Sequence, residues 1–237
     1  MDTKFTSPSR LFSARPVLRR TFFRVAGATA ASSALVLAGC DKDDETPEVT
    51  PEQAFTLGTG DTGLLNYAYL LEQLEAAFYD KVVATPPADM PAAELAYFTD
   101  LRDHEVIHRE FFKFALGTSA IGTAVFNFGS FTLTTRAGVL AAAQTLEDLG
   151  VAAYNGAGKL FTDPVYLGIA GKIASVEARH AALVRDLVLP NSFAAADVVA
   201  NDGGELDGLD AAKTPAQVIA VVNTFLNITI SAASLPS

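Results

Sequence analysis

Four long segments of helical periodicity, divided in the middle by one long irregular segment, constrain the fold of this sequence most. Apolar residues recur at spacings of three and four in all four segments, which is typical of amphipathic α-helices. The segments cover residues 64–85, 91–117, 135–157 and 163–189. Proline or glycine bounds three of them, with Pro91 expected in the first turn of the second helix and Pro164 in that of the fourth.

The segment between the second and third helices, residues 118–134, is rich in Gly, Ser, Thr and Phe. A connection of about 17 residues without structure of its own is uncommon inside a compact domain. It is explained if helices two and three are parallel, because the chain must then return along the whole bundle. The sequence therefore predicts an all-α four-helix bundle over residues 63–189, with one long crossover between helices two and three. Within the crossover, Phe126, Phe128 and Phe131 indicate a plug for the core, with a substrate-binding pocket as the alternative.

Residues 190–237 follow the bundle as a less regular extension. A short amphipathic helix is predicted to start at Thr214-Pro215 and to end near Leu226. Its apolar face predicts that the extension packs on the bundle.

Composition excludes several classes of protein. Half of the 237 residues are apolar and only 19% are charged, which excludes wholesale disorder. A single Cys excludes a disulfide scaffold and any Cys-rich zinc or iron–sulfur site. The net charge of −10 argues against nucleic acid as a partner, because phosphate binding needs clustered basic residues.

The N-terminal segment carries a charge of the opposite sign. Residues 1–39 hold six basic residues and one acidic residue, whereas the remainder holds 11 basic and 26 acidic residues. The pair Arg19-Arg20 precedes an apolar run over residues 25–39, which is shorter than the roughly 20 residues that span a bilayer. The only Cys in the chain, Cys40, comes directly after this run. This order of basic, apolar and small residues is typical of an export signal.

The segment resembles a twin-arginine signal joined to a lipobox. The resemblance implies that residues 1–39 are an export signal and that Cys40 is lipidated. Residues 40–62 would then form a tether, and the protein would be a lipoprotein of the cell envelope, anchored to a membrane. Asp41 is similar to the residue that keeps some lipoproteins at the inner membrane. The charged residues 42–45 resemble the surface-export signals of other lipoproteins, with a plain spacer as the alternative, so both leaflets remain open. The alternatives are a retained helix that anchors the protein directly and a Cys that stands in an Ala-rich segment by chance.

Two of the three histidines occur in the same local pattern on different helices. Glu105 precedes His108 by three residues on the second helix, and Glu177 precedes His180 by three on the fourth. This spacing places both side chains of each pair on one helix face, about 5–6 Å apart at Cβ. Each pair is therefore expected to reach a common metal ion.

The first and third helices carry a second repeated pattern. Glu72 is followed after seven residues by Tyr79, and Glu147 is followed after seven residues by Tyr154. Seven residues are close to two helical turns, so each Tyr lies over the same stripe as its Glu.

One Glu from each of two helices, with Glu-x-x-His from each of the other two, is the pattern of dinuclear metal sites in four-helix bundles. The segments LEQLEAAFYDK, LRDHEVIHREFF, TLEDLGVAAYNG and VEARHAALVRDL resemble the bacterial ferritin-like domain family that is related to plant desiccation-associated proteins. The resemblance implies a ferritin-like fold, two Fe or Mn ions, and O2 or peroxide chemistry in oxidative or desiccation stress. It also implies that Tyr79 and Tyr154 orient ligands. The implied metal ligands are Glu72, Glu105, His108, Glu147, Glu177 and His180.

Carboxylates combined with imidazoles suit Fe or Mn, whereas thiolates would favour zinc or copper. Glu75 follows Glu72 by three residues and is expected beside the ligands or among them, with a place on the helix surface as the alternative. His104 points about 100° away from Glu105, which favours a surface position or a place behind a ligand. The alternative function is a non-catalytic, membrane-tethered stress or interaction protein with a structural or degenerate metal site. The sequence predicts no particular oligomeric state.

Overall fold

A computed structural model describes residues 55–199, 205 and 207–237. The predicted export signal, Cys40 and most of the predicted tether lie outside the described residues. The described part is helical and has no β-strand. Its α-helices are α1 (Gly60–Ala84), α2 (Ala92–Leu116), α3 (Arg136–Gly158), α4 (Pro164–Val188) and α5 (Pro215–Val222). Among the described helices, none combines the length and apolar character that a bilayer crossing requires.

Capping residues explain where the helices begin. The Asp163 side chain accepts a hydrogen bond from the Val165 amide at the start of α4, and the Thr135 side chain accepts one from Gly138 at the start of α3. Pro91 differs from its expected place in the first turn of the second helix. It precedes α2 with an extended ψ of 143°, and its carbonyl accepts hydrogen bonds from the Glu94 and Leu95 amides.

Contacts at the helix ends establish the topology. At one end of the bundle, the Asp61 carboxylate at the start of α1 accepts hydrogen bonds from Thr162 and Asp163 at the start of α4. At the other end, Arg136 at the start of α3 forms an ion pair with Glu94 at the start of α2, with 2.6 Å between Nε and Oε2. Helices α2 and α3 therefore start at the same end and are parallel. The predicted four-helix bundle with one long crossover and a short C-terminal helix is confirmed.

Two amide side chains on α1 fix the first half of the crossover. The Asn66 side chain donates to the Ser119 carbonyl at 2.9 Å and accepts from the Ile121 amide at 2.9 Å. Two turns further along α1, the Gln73 side chain accepts from the Ala124 amide at 2.8 Å. The crossover thus has hydrogen-bond partners of its own, although it has little regular secondary structure.

Aromatic packing fixes the second half of the crossover. The Phe128 ring lies 5.8 Å from Phe78 on α1 and 6.1 Å from Phe225 in the C-terminal extension, and it is buried. Phe131 packs on the same two rings, at 6.4 and 5.2 Å. The crossover and the extension therefore cover one side of the core together.

The C-terminal extension packs directly against the backbone of α3. The Lys213 amide donates to the Ala152 carbonyl at 2.9 Å. The close approach requires glycine at position 156, because a Cβ there would lie 1.8 Å from the Lys213 carbonyl oxygen. The Arg185 guanidinium on α4 adds ion pairs of 2.6 Å to Asp148 and 2.8 Å to Asp197.

Candidate metal centre

The four helices of the bundle bring the six predicted ligands together in its interior. α1 supplies Glu72, α2 supplies Glu105 and His108, α3 supplies Glu147, and α4 supplies Glu177 and His180. The four carboxylate residues are fully buried. The imidazoles are the outermost members, with 12% of the His108 side chain and 5% of the His180 side chain exposed.

The ligand atoms form two groups that share two carboxylates. Within each group, one oxygen or nitrogen atom per residue lies within 4.8 Å of every other. The first group is Glu72, Glu105, His108 and Glu177. The second group is Glu105, Glu147, Glu177 and His180. Glu105 and Glu177 therefore stand where they can bridge two neighbouring ions, while Glu72 and Glu147 each belong to one group.

Both imidazoles turn their Nδ1 atoms towards the carboxylates. His108 Nδ1 lies 3.0 Å from Glu177 Oε1 and 3.3 Å from Glu72 Oε2. His180 Nδ1 lies 2.7 Å from Glu105 Oε1 and 3.5 Å from Glu177 Oε2. Since each Nδ1 has carboxylate oxygens from more than one helix around it, Nδ1 is the nitrogen that each ring would offer to an ion.

These short distances are not well-directed hydrogen bonds. Both Nδ1 atoms lack a hydrogen-bond partner within the described residues, as do both oxygens of Glu105 and of Glu177 and one oxygen each of Glu72 and Glu147. Buried polar atoms in proteins are nearly always paired, so such a convergence requires an explanation. A cation at the centre of each group would accept these lone pairs together. The residues present fit a pair of metal ions, and their oxygen and imidazole nitrogen atoms suit Fe or Mn.

Two tyrosines hold the carboxylates that are not shared. The Tyr79 hydroxyl on α1 donates to Glu147 Oε1 on α3, and the Tyr154 hydroxyl on α3 donates to Glu72 Oε1 on α1. Each Tyr therefore contacts the Glu of the opposite helix, although it shares a stripe with the Glu of its own helix. The bond leaves the second oxygen of each carboxylate directed at the centre.

The pKa shifts show how unfavourable the cluster is without a cation. Burial, reinforced by neighbouring carboxylates, raises the pKa of Glu72 and Glu147 well above the ordinary range. Burial also opposes ionisation of Glu105, but the two imidazoles beside it outweigh this effect and lower its pKa to about 2. Burial disfavours the charged imidazoles too, yet the carboxylates raise the pKa of His108 to about 12 and that of His180 to about 11. The metal-free centre therefore retains protons that bound ions would displace.

Glu75 is a further carboxylate inside the bundle. It is 2% exposed, and its Oε2 atom has no hydrogen-bond partner within the described residues. Burial, followed by the charges of Glu177 and Glu105, raises its pKa well above the ordinary range. Gly150 on α3 provides the space for it, because a Cβ at position 150 would lie 2.6 Å from Glu75 Oε1. The structure thus places Glu75 beside the six residues and away from the helix surface.

His104 is exposed, but its ring contacts a candidate ligand. Its Nδ1 atom lies 2.9 Å from His180 Nε2, on the side of that ring opposite the carboxylates. The sequence left a place behind a ligand open for His104 but did not indicate which ligand, because helical periodicity directs His104 away from Glu105. Other polar residues near the motifs have local partners: Asp103 pairs with Arg102, and Arg179 bonds to Ser175.

Comparison with known families agrees with this fold. The family described as a ferritin-like domain matches residues 60–190, which cover more than half of the chain and all four bundle helices. No curated protein matches the chain.

Proposed function

Because the chain belongs to the ferritin-like domain family, we propose that it binds two Fe or Mn ions and uses them to reduce O2 or peroxide. The observation that carries the proposal is the convergence of unpaired carboxylate and imidazole atoms in two groups that share Glu105 and Glu177. When bound, a pair of redox-active ions supplies two electrons, so that peroxide and two protons yield two molecules of water.

The residues of the chain have distinct tasks in this proposal. Glu105 and Glu177 belong to both groups and would hold both ions, Glu72 and Glu147 would each hold one, and the imidazoles would complete the two groups on the side facing α2 and α4. The tyrosine hydroxyls fix the direction of the unshared carboxylates. The buried helices α1 and α3 exclude water from the opposite side, so a small oxidant would enter past the imidazole edges.

The test uses the full chain purified without added metal. Elemental analysis is expected to find up to two Fe or Mn ions per chain. Anaerobic loading with Fe(II), followed by peroxide or O2, is expected to oxidise the ions with consumption of the oxidant. Glu105→Gln should abolish binding of both ions, because both groups contain Glu105. Glu110→Gln, on the same helix but paired with Arg109, is the matched control.

Binding of two ions without any consumption of oxidant would contradict the redox proposal. It would support the alternative of a non-catalytic stress or interaction protein with a structural metal site. Absence of metal binding in the wild-type chain would contradict the metal proposal itself.

We further propose that the protein is exported and held to a membrane through a lipid on Cys40, and that it serves in oxidative or desiccation stress. The support for export and anchoring is the sequence alone, in which the only Cys follows Arg19-Arg20 and a short apolar run. The support for the stress role is the resemblance of the four motif segments to the ferritin-like family that is related to desiccation-associated proteins. A Cys40→Ala variant should lose the lipid and become soluble, and a double Arg19→Lys, Arg20→Lys variant should stay in the cytoplasm. If the Cys40→Ala protein fractionates with membranes as before, residues 20–39 act as a retained helix instead.

A further inference from the structure

The contact between His104 on α2 and His180 on α4 has the geometry of a hydrogen bond within a common plane. The two rings are inclined by 18°, and their centroids are 5.1 Å apart. The Nδ1 to Nε2 distance of 2.9 Å is shorter than the roughly 3.5 Å at which aromatic faces pack. The rings therefore meet edge to edge, joined through one proton.

The surroundings of His180 determine which ring donates that proton. His180 Nδ1 faces the carboxylates of Glu105 at 2.7 Å, Glu177 at 3.5 Å and Glu147 at 3.8 Å, so Nδ1 is the atom available to an ion. A nitrogen that binds a metal carries no proton, so the neutral ring holds its proton on Nε2. His180 then donates through Nε2 to His104 Nδ1.

The two halves of the site differ at this position. His104 directly precedes Glu105 in the first Glu-x-x-His motif, and Val176 directly precedes Glu177 in the second. A valine side chain cannot accept a hydrogen bond, so the position equivalent to His104 offers nothing to His108. His108 is also the more exposed of the two imidazoles.

We propose that His104 is a positioning residue that holds His180 in the form with a free Nδ1. The group of Glu105, Glu147, Glu177 and His180 therefore binds its ion more tightly, and fills before the group of Glu72, Glu105, Glu177 and His108. This inference rests on the proposed binding of two ions. A hydrogen-bond partner behind a ligating His typically changes metal affinity by about 10–100-fold, which is enough to separate two binding steps.

The test compares three versions of the full chain by calorimetric titration of the metal-free protein with Mn(II). The wild type is expected to bind in two distinct steps. His104→Leu removes the acceptor and should weaken the tighter step by about 10–100-fold. His104→Asn keeps an acceptor oxygen close to the place of Nδ1 and should restore most of that affinity. Since His104 is exposed, both variants are expected to fold, which melting curves verify.

A second readout distinguishes positioning from a general structural effect. With Zn(II) bound, the nitrogen-attached proton on His180 Nε2 should give an observable NMR signal in the wild type and in His104→Asn. In His104→Leu the signal should be lost through exchange with water.

Two ions bound with equal affinity by the wild type, or an unchanged tighter step in His104→Leu, would overturn the inference and leave the proposed function standing. Failure of the wild type to bind either Mn(II) or Fe(II) would overturn both.

Discussion

The hydroxyl group of Tyr79 on α1 donates a hydrogen bond to Glu147 on α3, and Tyr154 on α3 returns the same contact to Glu72 on α1. The two contacts link the two helical hairpins, α1–α2 and α3–α4, directly beside the candidate metal centre. Each one immobilises a carboxylate that belongs to a single ligand group.

We expect Tyr79→Phe to weaken metal binding by the group that contains Glu147, by about 10–100-fold. Tyr154→Phe should weaken the group that contains Glu72 by a similar factor. Mn(II) titration of each variant measures the change. Tyr67→Phe is the matched control, because the buried Tyr67 hydroxyl has no hydrogen-bond partner within the described residues. An equal effect of Tyr67→Phe would show that the losses arise from repacking.

The shared carboxylates predict a stoichiometry for each ligand variant. Glu177→Gln, like Glu105→Gln, should lose both ions, because both groups contain these residues. His108→Ala and His180→Ala should each retain one ion, since each ring belongs to one group. Elemental analysis of protein reconstituted with Mn(II) gives the count. Retention of one ion by Glu177→Gln would exclude the bridging arrangement.

The raised pKa values predict that the metal-free protein loses stability as pH rises. The pKa values of Glu72, Glu75 and Glu147 are raised in the folded state, so above pH 4.5 the unfolded chain loses protons that the folded chain keeps. The pKa values of His108 and His180 are raised to about 12 and 11, so from pH 6.5 upwards the folded chain also keeps imidazole protons that the unfolded chain loses. Each proton of difference costs about 1.4 kcal/mol per pH unit.

Thermal unfolding of chelator-treated protein at pH 5, 7 and 9 measures the slope of stability against pH. Saturating Mn(II) should reduce it, because the ions replace the protons. The double variant Glu72→Gln, Glu147→Gln should also have a shallower slope than the wild type. A melting temperature of the metal-free wild type that is constant or rises from pH 5 to pH 9 would contradict the prediction.

Substitution by alanine is expected to have opposite effects on stability at two helical glycines. Gly156→Ala should destabilise the protein by about 1–3 kcal/mol, because the new Cβ would displace the backbone at Lys213 and with it the extension. Gly171→Ala is the matched control, with no atom within 4 Å of the new Cβ, and it should stabilise α4 by up to about 1 kcal/mol. Urea unfolding measures both values. Stabilisation by Gly156→Ala would show that the extension does not depend on this close approach.

The sequence predicted the bundle because its two strongest signals, helical periodicity and the length of residues 118–134, depend on local geometry. The convergence of the six candidate ligands was also predictable from spacings along single helices. Glu-x-x-His sets a spacing on one helix, and the Glu-to-Tyr repeat shows which stripe of the neighbouring helices faces inward.

Contacts between side chains on different helices could not be predicted from the sequence in this way. The angle of His104 on its own helix says nothing about where α4 places the far nitrogen of His180. Gly150 stands at the position in the second half of the repeat that is equivalent to Glu75 in the first half. In the structure the missing side chain of Gly150 leaves the space in which the Glu75 carboxylate is buried. The same absence of a side chain therefore had a steric meaning that only the packed structure reveals.

The distribution of ligands between the two hairpins has a consequence for the order of assembly. Helices α1 and α2 supply Glu72, Glu105 and His108, while α3 and α4 supply Glu147, Glu177 and His180, and each ligand group draws on both hairpins. Neither hairpin alone can offer a complete coordination sphere during synthesis or early folding. In the proposed function, ions would therefore enter only after residues 118–134 have brought the hairpins together, and metal occupancy would report that the chain has reached its final topology.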